Sequence, residues 1–285
     1  METILKIVAI TAIAGMGGTG LGGLISTLFK KDSAKTVSLL LSFAAGVMTS
    51  VVCFDLLADA LEQESGGSGV LLVVGGVLLG YGVIYLLNAW IDKSTNREVA
   101  HIDANHPKTA DSLEELIHAD HLHVHERAAV QTHSQLFLAG LVMAAAIALH
   151  NMPEGMVIGA SFAKGAGGDV LARGGIMMAV VIGLHNIPEG MAVAVPLISG
   201  GMQPGKAVGI TALSGAPTIL GALVGYFLGA MGPLALALSL SFASGAMLYV
   251  VFGELLPEAI LMWRSKLPAF AVVVGMLLGI LIIYA

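Results

Sequence analysis

The sequence predicts an all-α integral membrane protein of eight crossings. Three observations carry that reading: the shortage of charge, eight apolar runs of bilayer length, and an internal repeat in opposite orientation. Of 285 residues, 56% are hydrophobic and 11% charged. A soluble domain carries roughly a quarter charged residues, so most of this surface must meet lipid or other helices. Glycine is abundant, at 37 residues. Small residues let membrane helices approach closely, often as G-x-x-x-G. Gly221, Gly225 and Gly229 form such a run, and Gly18 with Gly22 and Gly76 with Gly80 repeat the spacing. The single cysteine, Cys53, excludes an intrachain disulfide and a cysteine-rich zinc site. The net charge of −6 argues against nucleic acid as a partner.

About 20 apolar residues span the hydrocarbon as a helix. Eight such runs are expected, at 4–29, 37–60, 68–91, 135–163, 174–199, 206–229, 233–259 and 267–285. They divide the chain into residues 1–91 (helices one to three), a loop at 92–134, residues 135–199 (helices four and five) and 200–285 (helices six to eight). The first run follows Lys6 like a signal peptide, but its sequence recurs in the interior, so it is read as a span. An even number of crossings puts both termini on one side. The loops after helices one, three, five and seven hold ten Lys and Arg, and the opposite side holds three. The positive-inside rule then places both termini outside and the long loop in the cytoplasm.

The segment from Ser42 to Ala60, SFAAGVMTSVVCFDLLADA, matches the segment from Ser241 to Ala259, SFASGAMLYVVFGELLPEA. Asp55 aligns with Glu254 and Asp59 with Glu258. ITAIAG from Ile10 matches ITALSG from Ile210, and VVGGVLL from Val73 matches VVGMLLG from Val273. Helices two and seven are five crossings apart and so run oppositely. Helices one to three and six to eight therefore read as an inverted repeat, the mark of many secondary transporters.

Helix four contains His150-Asn151-Met152-Pro153-Glu154-Gly155, and helix five contains His185-Asn186-Ile187-Pro188-Glu189-Gly190. Four residues apart, each histidine shares a helix face with its glutamate. Adjacent helices run antiparallel, so the two motifs can face one another at mid-membrane. Ionisable groups there are costly, at least ~2.5 kcal/mol each on insertion scales. A dication offsets two carboxylates, and neutral imidazoles add nitrogen ligands. A mixed nitrogen and oxygen set without thiolate suits Zn²⁺, Fe²⁺ or Mn²⁺. Asn151 and Asn186 either ligate through oxygen or orient a ligand. Pro153 and Pro188 each remove a backbone hydrogen bond, which predicts an opened helix beside each histidine.

These residues resemble the ZIP (Zrt/Irt-like) metal transporters, in their bacterial GufA-like branch. The resemblance covers essentially all the spans. It implies import of Zn²⁺, with tolerance for Fe²⁺, Mn²⁺ or Cd²⁺, and no prosthetic group. It also implies a 3+2+3 helix arrangement, a homodimer in the cytoplasmic membrane and alternating access. The family's metal site carries over to His150, Asn151, Glu154, His185, Asn186 and Glu189, with Met48 on helix two nearby. Many relatives have a glutamate before the proline of helix six, helping to hold a second metal. This chain has Ala216 before Pro217, a departure from that pattern.

Asp55 reads as an entrance ligand and Glu254 or Glu258 as exit or proton-handling groups; the alternative is solvated helix ends. Seven histidines lie between His101 and His133, densest at His118, His121, His123 and His125. Asp111 with Glu114 resembles a capping box, which would set His118, His121 and His125 on one face of a short helix. The tract reads as a weak metal-binding loop or as a polar linker. An intramembrane zinc hydrolase is the rival reading. The sequence lacks H-E-x-x-H, and both motif glutamates are taken up by the ion rather than free as a general base.

Overall fold

The computed structural model describes residues 2–28, 34–63, 67–95, 129–164, 173–263 and 265–284. Among them are eight helices long and apolar enough to cross a membrane: α1 (Glu2–Leu28), α2 (Lys35–Gln63), α3 (Gly67–Trp90), α4 (Gly140–Lys164), α5 (Gly174–Ser199), α6 (Pro204–Ala230), α7 (Pro233–Met262) and α8 (Leu267–Tyr284). All eight expected runs are found, with ends shifted by a few residues. The helix carrying α4 starts further back, at Ala129. The densest part of the histidine tract, His118 to His125, lies outside the described residues.

The ends follow local chemistry. Pro204 and Pro233 open α6 and α7 at the first helical position, where the missing N–H is not needed. The end of α5 is closed by Gly201 at φ 91°. Its N–H donates to the Ile198 carbonyl at 3.0 Å, and the next N–H, of Met202, reaches the Leu197 carbonyl at 3.0 Å. That pattern is a Schellman motif, and a residue with a Cβ is strained at its left-handed position.

Helices α2, α4, α5 and α7 are mostly buried, while α3 and α8 are mostly exposed. The exposed faces of α3 and α8 carry Leu71, Leu78, Leu86, Leu277 and Leu281, as a lipid-facing helix must. Helix α4 packs on α6 and α5 on α1; α8 packs on α2 and α3 on α7; α7 also meets α2 and α4, and α5 meets α2. The three glycine runs all sit in these seams. Gly221 and Gly225 lie on the backbone carbonyls of Met152 and Met156, Gly18 and Gly22 on those of Gly183 and Ile187, and Gly80 on that of Phe242. Without hydrophobic drive between helices in lipid, such close backbone packing is a principal attraction. Most buried hydroxyls return to their own helix, as Thr11 Oγ1 donates to the Ile7 carbonyl at 2.8 Å and Thr211 Oγ1 to that of Ala207 at 2.8 Å. In lipid this satisfies a polar group without water.

The helices are not uniform. A wide π-helical turn interrupts α1 at Ile13–Gly17, α2 at Val52–Leu56 and α7 at Val250–Leu255. Helix α6 is interrupted between Ser214 and Pro217. The turns of α2 and α7 stand at matched places in the repeated segments, and the interruption of α6 matches the turn of α1. Gly15 and Gly215, one from each, pack against one another. The two motif prolines behave otherwise than expected. Helical structure runs unbroken through Pro153 and through Pro188. The lost hydrogen bond is tolerated in place, and the irregular turns fall on α1, α2, α6 and α7 instead.

Candidate metal centre

All six motif residues are buried: Asn151, Glu154, Asn186 and Glu189 expose nothing, and His150 and His185 expose 2% and 4%. One glutamate and its flanking residues from each of α4 and α5 meet because the helices pack directly side by side. The ligand atoms of Glu154, His185 and Glu189 all lie within 4.8 Å of one another. Nε2 of His185 stands 3.1 Å from Oε1 of Glu154. Two ligands of one tetrahedral zinc ion, with bonds near 2.0–2.1 Å, stand about 3.3 Å apart, so this pair is already spaced as neighbouring ligands.

The cluster is rich in acceptors without donors. Oε2 of Glu154, both carboxyl oxygens of Glu189 and Oδ1 of Asn186 are buried with no hydrogen-bond partner. A buried polar atom left unpaired costs about 1–3 kcal/mol, and here four gather in one place. A cation of high charge density would satisfy them together.

The two asparagines are not equivalent. Oδ1 of Asn151 accepts from Asn186 Nδ2 at 3.2 Å and from Thr218 Oγ1 at 3.0 Å. Its Nδ2 donates to the Ile147 carbonyl at 2.9 Å and the Ser214 carbonyl at 3.3 Å. Asn151 therefore ties α4 to α5 and to both sides of the break in α6. Asn186 donates to Asn151 and to the Ala14 carbonyl at 3.3 Å, which leaves its oxygen free.

The expected convergence of both histidines is only half met. Nε2 of His150 lies 2.7 Å from Oε2 of Glu254 on α7, and His150 is not among the three residues gathered within 4.8 Å. Glu254 thus stands against a motif residue rather than at a remote helix end. Spacing within one helix carried no sign of this contact, because a wide turn sets the direction of Glu254. The nearest sequence sign was its match to Asp55. Met48 is fully buried on α2, within the main core. The side chain of Glu258 lies outside the described set.

Asp55 lies elsewhere. With Asp59, Ser161, Lys164, Gly174, Met177, Met178 and Ile283 it lines a cavity of about 330 Å³ at the ends of α2, α4, α5 and α8. Lys164 Nζ reaches Asp59 Oδ1 at 2.6 Å across it. Ala216 caps the second half of α6, immediately before Pro217, and offers no ligand.

The ZIP zinc transporter family model matches residues 3–285. The zinc transporter ZupT of Akkermansia muciniphila is 32% identical over 284 residues, covering 97% of this chain and 96% of that protein. The proteins of the same name from Clostridium perfringens and Chlorobium chlorochromatii are 30% and 33% identical, covering 97% and 90% of this chain and 94% and 89% of theirs. The matched family is one of transporters, not of enzymes. With two buried His-Asn-x-Pro-Glu-Gly motifs set face to face and a family match running from end to end, this chain belongs to the ZIP family of zinc transporters.

Proposed function

We propose that the protein imports divalent metal ions, Zn²⁺ foremost, across the cytoplasmic membrane by alternating access. Cd²⁺, Fe²⁺ and Mn²⁺ are accepted less well. The ion binds between α4 and α5, held by Glu154, His185 and Glu189, with His150 and the Asn186 oxygen completing the set. Asn151 holds the two motif helices and α6 in register. Met48 flanks the site from α2. The observation that carries the reading is the buried carboxyl–imidazole cluster with its unpartnered oxygens. The names of the relatives favour zinc. The donor set, nitrogen and oxygen without thiolate, agrees with that choice.

Asp55 captures the ion on the outer side, and Glu254, with Glu258, receives it on the inner side. The contact of Glu254 with His150 supports a direct hand-over. Helices α1–α3 and α6–α8 form an inverted repeat around α4 and α5 in a 3+2+3 arrangement. The matched π-turns and the exchange-symmetric packing (α4 on α6, α5 on α1; α2 on α8, α7 on α3) support this. Both termini lie outside, the unit is a homodimer, and His118, His121, His123 and His125 of the cytoplasmic loop bind released metal weakly. Each charge moving inward gains roughly 2.3 kcal/mol per 100 mV of inside-negative potential, so import needs no ATP.

The test is metal uptake into proteoliposomes by the full chain, with Glu154→Ala and Glu189→Ala as controls. Saturable uptake that both substitutions abolish is expected. Uptake that survives both rejects the site.

A further inference from the structure

We propose that the seam between α2 and α8 binds an anionic phospholipid. A groove of about 370 Å³ runs there, lined by Leu39, Leu40 and Phe43 of α2 and by Phe270, Ala271 and Val274 of α8. Every one of these side chains is hydrocarbon, and Phe270 is largely exposed. In a membrane protein such a furrow on a lipid-facing seam meets acyl chains, not water.

Cations stand at one end of the groove. Lys35 lies one helical turn before Leu39 on α2, and Lys266 directly precedes Leu267, which also lines the groove at the start of α8. Both lysines are exposed. The Lys35 ammonium sits 5.7 Å from the centre of the Trp263 ring, within cation–π range. The ring holds that ammonium at the level where α8 begins. Tryptophan and lysine at a helix end mark the headgroup region of the bilayer. One molecule with an apolar tail and a negatively charged head therefore meets both halves of the site. A zwitterionic lipid fills the groove but gains nothing net from two like charges at its head. On the proposed topology this end faces the cytoplasm, where anionic lipids concentrate and basic pockets between helices bind their headgroups.

The test is native mass spectrometry of the full chain released from micelles doped with equal phosphatidylglycerol and phosphatidylcholine. Each lysine near an anionic lipid gives about a fivefold preference, so the wild type should retain phosphatidylglycerol roughly 25-fold more tightly. Lys35→Gln with Lys266→Gln should bring the ratio close to one. Ala271→Phe, which fills the groove, should weaken retention of both lipids. Equal retention of the two lipids by the wild type overturns the proposal. So does a preference unchanged by the double substitution, or retention unchanged by Ala271→Phe. A seam covered by a second copy would give a dimer without lipid that Ala271→Phe dissociates, and this outcome also overturns it.

Discussion

Replacing Glu189 by glutamine keeps its shape and removes its charge, so the substitution isolates the electrostatic part of ion binding. Both Glu189 oxygens are buried without partners, and the cluster atoms lie no more than 4.8 Å apart. At an effective dielectric of 20 and a separation of 4 Å, two unit charges interact by about 4 kcal/mol, and a dication doubles this to about 8. Much of that is offset by stripping water from the ion and the carboxylate. Breaking a buried ionic contact by removing one partner costs about 3–5 kcal/mol net. Ion affinity should therefore fall by roughly two to four decades. The metal-free protein behaves differently, since glutamine brings N–H donors among orphaned acceptors; its own stability should hold or rise. Thermal unfolding in detergent, with and without Zn²⁺, separates the two effects. Wild type at 100 times its Kd gains about 2.7 kcal/mol from the ion, and Glu189→Gln at the same concentration should gain almost none. A variant that keeps the zinc-dependent shift and wild-type affinity would refute the electrostatic reasoning.

Asn151→Ala removes four hydrogen bonds, three of which join α4 to α5 and α6. Interhelical hydrogen bonds in membranes average about 0.6 kcal/mol, so unfolding in mixed micelles should show a loss of about 1–3 kcal/mol, with zinc affinity also reduced. Gly155→Val drives a Cβ into the Thr218 carbonyl, and backbone cannot yield as a side chain does; a loss of about 3 kcal/mol or more should appear as failure to purify as a single species. Asp59→Asn breaks the ion pair with Lys164, a side chain 44% exposed, and so should change stability by at most ~1 kcal/mol in the same unfolding assay. An inside-negative potential of 100 mV adds about 4.6 kcal/mol to import of a dication, so valinomycin-clamped proteoliposomes should accumulate zinc; uptake indifferent to potential would mean that charge is exchanged. Replacing His118, His121, His123 and His125 by alanine should lower the total zinc bound at equilibrium while leaving the concentration for half-maximal uptake unchanged.

The fold was legible because lipid imposes one simple demand, a continuous apolar helix of bilayer length, and each of the eight runs meets it. The glycine runs were legible for a related reason: a side chain's absence at four-residue spacing on a helix has few uses other than close packing. The meeting of Glu154, His185 and Glu189 could be read because His and Glu four residues apart share a helix face, and adjacent antiparallel helices bring two such faces together. The pairing of His150 with Glu254 could not be read. It depends on a π-turn at Val250–Leu255, and a widened turn leaves no mark in residue types. The prolines misled for the complementary reason. Proline reports a missing hydrogen bond with certainty, but whether the helix bends or simply tolerates the loss depends on neighbours packed against it, here α6 on α4 and α1 on α5. The difference between Asn151 and Asn186 is also tertiary, since the two motifs are alike in sequence and differ only in what faces them.

An anomalous difference map at the zinc edge, from crystals of the full chain grown with Zn²⁺, would locate the bound ion. The expected peak is enclosed by Glu154, His185 and Glu189, at about 2.0–2.2 Å from nitrogen and oxygen ligands. A cluster that stays empty while zinc occupies other residues would contradict it.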